Sequence, residues 1–248
     1  MALPVVLYPA AILSSFAALL IPEITEQNAA GNKEEIRYIA GRAYQTALLF
    51  SIGTAAIMLF LSGELGEVLY SSTEVARFIR LLAPLIPIMY IDTATDAMLK
   101  GLGEQVYSMK INIIDAALSV ALVLLLIPTY GITGYIITIY VSEFFNTVFS
   151  ITKLLCMTKT KPHLLKWIYK PLLCIVIATV TVHGILMRMP STSLSAGRTV
   201  LHCTAVLGCY LLLLCLTRSI EKDDLTWLRA LFQAEKDAND AHTHAKKR

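Results

Sequence analysis

Three aspartates stand inside long apolar runs: Asp92, Asp96 and Asp115, within the stretch 78–120 (FIRLLAPLIPIMYIDTATDAMLKGLGEQVYSMKINIIDAALSV). A carboxylate at membrane depth costs about 2.5 to 3.5 kcal/mol on insertion scales, so the groups that occur there turn inward and are paired or functional. Asp92 and Asp96 are four residues apart and share a helix face, with Tyr90 and Thr93 near it. Asn112 and Asp115 are three apart, as are Glu143 and Asn146, so each of these pairs is also adjacent on its helix. Lys100 sits at a helix end, where it can snorkel to the surface.

Two chemistries compete for these six residues. As plain interhelical glue each hydrogen bond contributes about 0.6 kcal/mol. Glue does not require ionisable groups, however, whereas a hydrated path for an ion or a polar head group does. No cation accompanies them at depth, which suits sugar hydroxyls or a coupling ion better than a bare phosphate. Asp92, Asp96 and Asn112 are the first candidates for such a path, with Asp115, Glu143 and Asn146 behind them.

The elements that position these residues follow from composition. The 248 residues are 56% hydrophobic and only 16% charged, and mean hydropathy is +0.64, too apolar for an ordinary soluble domain. The apolar residues gather in runs of the 17 to 25 or so that a helix needs to cross about 30 Å of hydrocarbon, rather than in short alternating barrel strands. Seven spans are expected, at 3–21, 43–61, 81–99, 111–127, 135–152, 171–187 and 199–216. Pro22 is expected to end the first, and 23–42, with seven charges of both signs, to form a loop with a short interfacial helix. Residues 63–74 read as an acidic turn, 128–134 as a tight uncharged turn, 156–170 as a basic connector and 188–198 as a Ser/Pro-rich loop. In the charged tail, 223–236 reads as a surface helix and 237–248 as disordered.

All but four of the 21 Lys and Arg fall on one side of this topology. The exceptions are Arg77, Arg80, Arg188 and Arg198. The positive-inside rule then puts the C-terminus in the cytoplasm and Met1 outside, as if helices that normally precede Met1 were missing.

Enzymatic signatures are absent: there is no HExxH, GxSxG or phosphate-cradling GxxxxGK, so no catalytic residue, metal site or cofactor is expected. His242 and His244 belong to a polar tail, and the terminal KKR fits the charge bias. His183 and His202 are lone residues in apolar runs that can bond a neighbouring helix. Cys174, Cys203, Cys209 and Cys215 read as small buried hydrophobes, without a CxxC pair.

The runs LKGLGEQ (99–105), KINIIDAALSV (110–120) and IPTYGITGYIITIYVSEFFN (127–146) resemble the multidrug/oligosaccharidyl-lipid/polysaccharide exporter superfamily, most closely its stage V sporulation protein B-like branch of oligosaccharide flippases. LSSFAALLIPEITEQNAAGNKEEI (13–36) is similar to that branch's helix ending in Pro and an acidic residue, followed by an Ala-Gly-Asn loop. The likeness covers about the first 155 residues, and beyond them only hydropathy matches. Members have fourteen helices, in two six-helix lobes around a cavity with two more behind, and work by alternating access.

The resemblance implies an all-α polytopic transmembrane helix bundle matching the C-terminal lobe plus two extra helices. Residues 1–155 would supply five spans of that lobe, 156–217 the additional pair, and 218–248 a cytoplasmic tail. It further implies part of a flippase for lipid-linked oligosaccharide or a cell-wall precursor in the cytoplasmic membrane, in sporulation or polysaccharide export. The expected partners are membrane lipids, the lipid-linked sugar and a missing N-terminal lobe or partner chain, with no nucleic acid. The alternatives are a cation-coupled multidrug exporter, an inactive or truncated fragment, and a membrane scaffold for cell-wall synthesis.

Overall fold

The computed structural model describes residues 2–159, 164–186 and 196–217. The described residues form helices, in the order α1 (Ala2–Ala29), α2 (Lys33–Phe60), α3 (Ser62–Tyr70), α4 (Thr73–Leu82), a 3-10 turn (Ala83–Leu85), α5 (Ile86–Gly101), α6 (Gln105–Tyr130), α7 (Ile132–Thr158), α8 (Leu164–Leu186) and α9 (Ala196–Leu216). The expected helix at 223–236, the tail to 248 with His242 and His244, and the loop through 188–195 lie outside the described residues.

Pro22 does not end the first helix, contrary to expectation. α1 runs through both Pro9 and Pro22 to Ala29. Its last two turns have work to do there: Thr25 Oγ1 donates to the Gly101 carbonyl at 3.1 Å and Asn28 Nδ2 to the Leu102 carbonyl at 3.3 Å, satisfying acceptors at the end of α5. The loop expected over 23–42 shrinks to a turn around Gly31 (φ +71°). Asn32 then caps α2, its side chain accepting from the Glu35 N–H. The acidic turn at 63–74 is mostly helical, as α3, and closes through Ser71 in the left-handed region and the Ser72 cap of α4. Helix α6 likewise continues past Pro128, and the turn into α7 is made at Gly131.

The third expected span is divided. Its first residues belong to α4, Pro84 lies in the 3-10 turn, and α5 has only 16 residues, about 24 Å of helix. Among the described residues six helices, α1, α2, α6, α7, α8 and α9, are long and apolar enough to cross a membrane alone. Helix α5 follows α4 and the turn without a break.

Two cores hold the bundle. Leu20, Ile24, Ile39, Ala43, Ile86, Ala94 and Met98 are among the residues joining α1, α2, α4 and α5. Leu48, Ile52, Ile175, Ala178, Val206 and Tyr210 join α2 to α8 and α9. Helix α2 therefore serves both, and 56% of its spanning window is buried, against 6% for α6. Helix α6 leans on α7, which packs on α5. Its remaining surface, with Leu124 and Leu125 about seven-tenths exposed, suits acyl chains. Gly134 permits the close start of the α6–α7 hairpin, since a Cβ there would strike the Leu126 carbonyl.

Candidate functional site

The α5–α6–α7 seam gathers all six polar residues singled out above into one tract. On α6 and α7 the bonds are direct: Asn146 Nδ2 donates to Asn112 Oδ1 at 3.1 Å, and Ser142 Oγ donates to Asp115 Oδ1 at 2.7 Å. Ser119 Oγ reaches Ser142 Oγ at 3.0 Å, and Ser150 Oγ reaches Asn146 Oδ1 at 3.4 Å. Ser150 also approaches the carboxylate of Asp92 on α5, so the network crosses from α7 to the third helix. The i, i+3 spacing on α6 and α7 is what sets these side chains opposite one another.

Three carboxylates feel one another here. Glu143 lies close enough to Asp92 and Asp115 for direct repulsion, and Asp92 is within reach of Asp96 as well. Asp92 is half-buried, and its Oδ1 is enclosed with no hydrogen-bond partner. The Thr147 hydroxyl, one turn from Glu143 on α7, is enclosed in the same way. Asp96 differs from the rest: Lys100 Nζ sits 2.6 Å from its Oδ2, so the lysine folds back along α5. That pair is partly exposed and contributes little to stability, but it neutralises Asp96. Asp92 and Asp115 instead meet hydroxyl donors, Ser150 and Ser142.

Sequence reasoning missed the hydroxyls. Ser142, Ser150 and Ser119 bind or approach the acidic and amide groups, and only their helical spacing from Asn146 and Asp115 could have marked them. Tyr90 is buried and stacks on Phe50 with ring centroids 5.8 Å apart, and Thr93 bonds back to the Met89 carbonyl. Thr95 is the residue of α5 that reaches out, to the Tyr44 hydroxyl of α2 at 3.0 Å. Tyr44 in turn lies within the field of Asp92, extending the tract to α2.

The histidines of the apolar runs, His183 and His202, meet. His183 stacks on His202 at 5.8 Å, and His202 Nδ1 lies 3.0 Å from Glu64 Oε1 on α3. Of the cysteines, Cys174 is buried, Cys203 and Cys209 are half-buried, and Cys215, expected to be buried, is exposed on the outer side of α9.

A bundle of long apolar helices is the build of a multi-pass membrane protein, and here it carries a half-buried acidic seam between α5, α6 and α7. The MatE family model matches residues 2–126, half of the chain, and the chain belongs to this family of membrane transporters. It is also 30% identical over 129 residues, 51% of its length, to "Stage V sporulation protein B" of Bacillus subtilis (strain 168). That match covers 25% of the relative, so the chain spans about a quarter of its length. The family match points to a transporter.

Proposed function

We propose that this chain is part of a transporter that flips a lipid-linked oligosaccharide or cell-wall precursor across the cytoplasmic membrane, with its C-terminus on the cytoplasmic side. The observation carrying this reading is the acidic seam, where Ser142 donates to Asp115, Ser150 approaches Asp92, and Glu143 lies beside both carboxylates. Carboxylates presented this way can accept from sugar hydroxyls or hold a coupling cation while the lipid tail stays among acyl chains. Asp92, Asp96 and Asn112 are the first candidates to contact the cargo or ion, with Asp115, Glu143 and Asn146 as the second choices. The partners are membrane lipids, the sugar-bearing lipid and a second lobe, supplied by preceding helices or by another chain. Residues 1–155 act as the lobe and 156–217 as the accessory pair. A role in sporulation rests on the match to the Bacillus subtilis protein.

A second reading, a cation-coupled multidrug exporter, draws on the same unneutralised carboxylates, which suit a cationic cargo. The deciding experiment is a flipping assay with Asp92→Asn and Asp96→Asn in a full-length context. Loss of lipid-linked sugar translocation at normal protein level supports the flippase. Unchanged transport removes both residues from the path, and resistance to cationic dyes lost with Asp92 favours the exporter.

A further inference from the structure

Away from the acidic seam, a groove of about 420 Å³ lies between α4 and the start of α7. Its floor is apolar, including Ile136 and Ile139, and three aromatic rings, Tyr70, Phe78 and Tyr135, stand around it. Glu74 is the one ionisable carboxylate in the lining, while Arg77 and Arg80, the cations of α4, do not line it. Arg80 Nε instead donates to Ser62 Oγ on α3 at 3.1 Å. The groove lies beside the Ser71–Ser72 and Gly131 turns, at the end of the bundle where α4 and α7 both begin. Tyrosines at such a boundary have their rings in the apolar layer and their hydroxyls in the polar one.

We propose that this groove binds a phospholipid with a primary-amine head group, of the phosphatidylethanolamine type. At the exposed rim of the groove an ammonium finds a carboxylate in Glu74 and aromatic neighbours in Tyr70, Phe78 and Tyr135, the two features that favour a cation. The adjoining phosphate finds donors in the Tyr70 and Tyr135 hydroxyls. It also meets the first turn of α7, which has no side-chain cap for its free N–H groups. The apolar floor requires hydrocarbon, which commits the site to a lipid and not to a free amine. An anionic lipid, by contrast, meets Glu74 as a like charge. This inference does not depend on the cargo proposed for the acidic seam.

The test is native mass spectrometry of the full chain in detergent, titrated with phosphatidylethanolamine and with phosphatidylglycerol of the same acyl chains. Phosphatidylethanolamine should be retained about tenfold better, and Glu74→Gln should erase that preference while Glu67→Gln, on α3 outside the groove, keeps it. Glycerophosphoethanolamine, the same head without chains, should fail to displace the lipid. A thermal shift on adding phosphatidylethanolamine gives a second readout, expected for wild type and lost in Glu74→Gln. Equal retention of the two lipids by wild type, an undiminished preference in Glu74→Gln, or displacement by the chainless head group would each overturn the proposal.

Discussion

His202 on α9 and Glu64 on α3 meet at 3.0 Å, Nδ1 to Oε1, with the histidine side chain only 6% exposed. The carboxylate accepts and the ring nitrogen donates, while Glu64 Oε2 and His202 Nε2 are enclosed without partners. The bond fastens the last described helix to the short helix α3. Glu64→Ala would leave the ring nitrogen a buried donor with nothing to bind, a loss of about 1 to 3 kcal/mol. Glu64→Gln keeps an acceptor in place and should lose less. Unfolding in detergent by urea or SDS would rank the variants, and an Ala variant as stable as wild type would show that the contact contributes nothing.

The Asn112–Asn146 bond is testable as a pairwise energy. In a double-mutant cycle with Asn112→Leu and Asn146→Leu, the coupling should be about 0.6 kcal/mol, the average for interhelical bonds in a membrane protein. Zero coupling by SDS unfolding would mean that the two amides find other partners when separated.

Ser142 is the hinge of the Asp115 network, receiving Ser119 and donating to the carboxylate. On the flippase reading, Ser142→Ala in a full-length context should lower transport several-fold at unchanged protein level. Ser142→Thr should restore most of it, because a hydroxyl returns. Equal rates for Ala and wild type would take Ser142 out of the path.

Glycine substitutions should separate by what the new methyl meets. At Gly66 a Cβ would lie 2.6 Å from the backbone nitrogen of Ala76, so α3 and α4 must part. At Gly53 it would meet Tyr210 Cε1 at 2.8 Å, and Tyr210 also donates to the Leu49 carbonyl. At Gly208 nothing lies within 4 Å. Gly66→Ala and Gly53→Ala should each lose about 1 to 3 kcal/mol, Gly66 the more. Gly208→Ala should hold steady or gain up to about 1 kcal/mol. Thermal midpoints in detergent would check the order.

Hydropathy and spacing made the helices and the acidic seam legible, because apolar runs and i, i+3 pairs are local patterns. Prolines were the main source of error. Pro22 and Pro128 both look like stops in a sequence, yet both are carried inside helices. The last turns of α1 are useful to α5 through Thr25 and Asn28, a tertiary reason with no local sign. Serine caused the other gap, since Ser142 and Ser150 gain meaning only from what faces them across a helix contact. The division of 81–99 at Pro84 shows the same limit in reverse, a break that hydropathy averages away.

Helix α2 is clothed on both sides, by α1 and α5 from one core and by α8 and α9 from the other. Its mean hydropathy, 1.5 against 2.3 for α6, is modest for a rod at the heart of a bundle, and Tyr44, Ser51 and Thr54 sit along it. Two of its neighbours, α8 and α9, are encoded more than a hundred residues downstream. During synthesis the face that later meets α8 and α9 stays against lipid until those helices arrive. The hydroxyls of Ser51 and Thr54 suit that wait, since each donates to a carbonyl of α2 itself, of Leu48 and of Phe50.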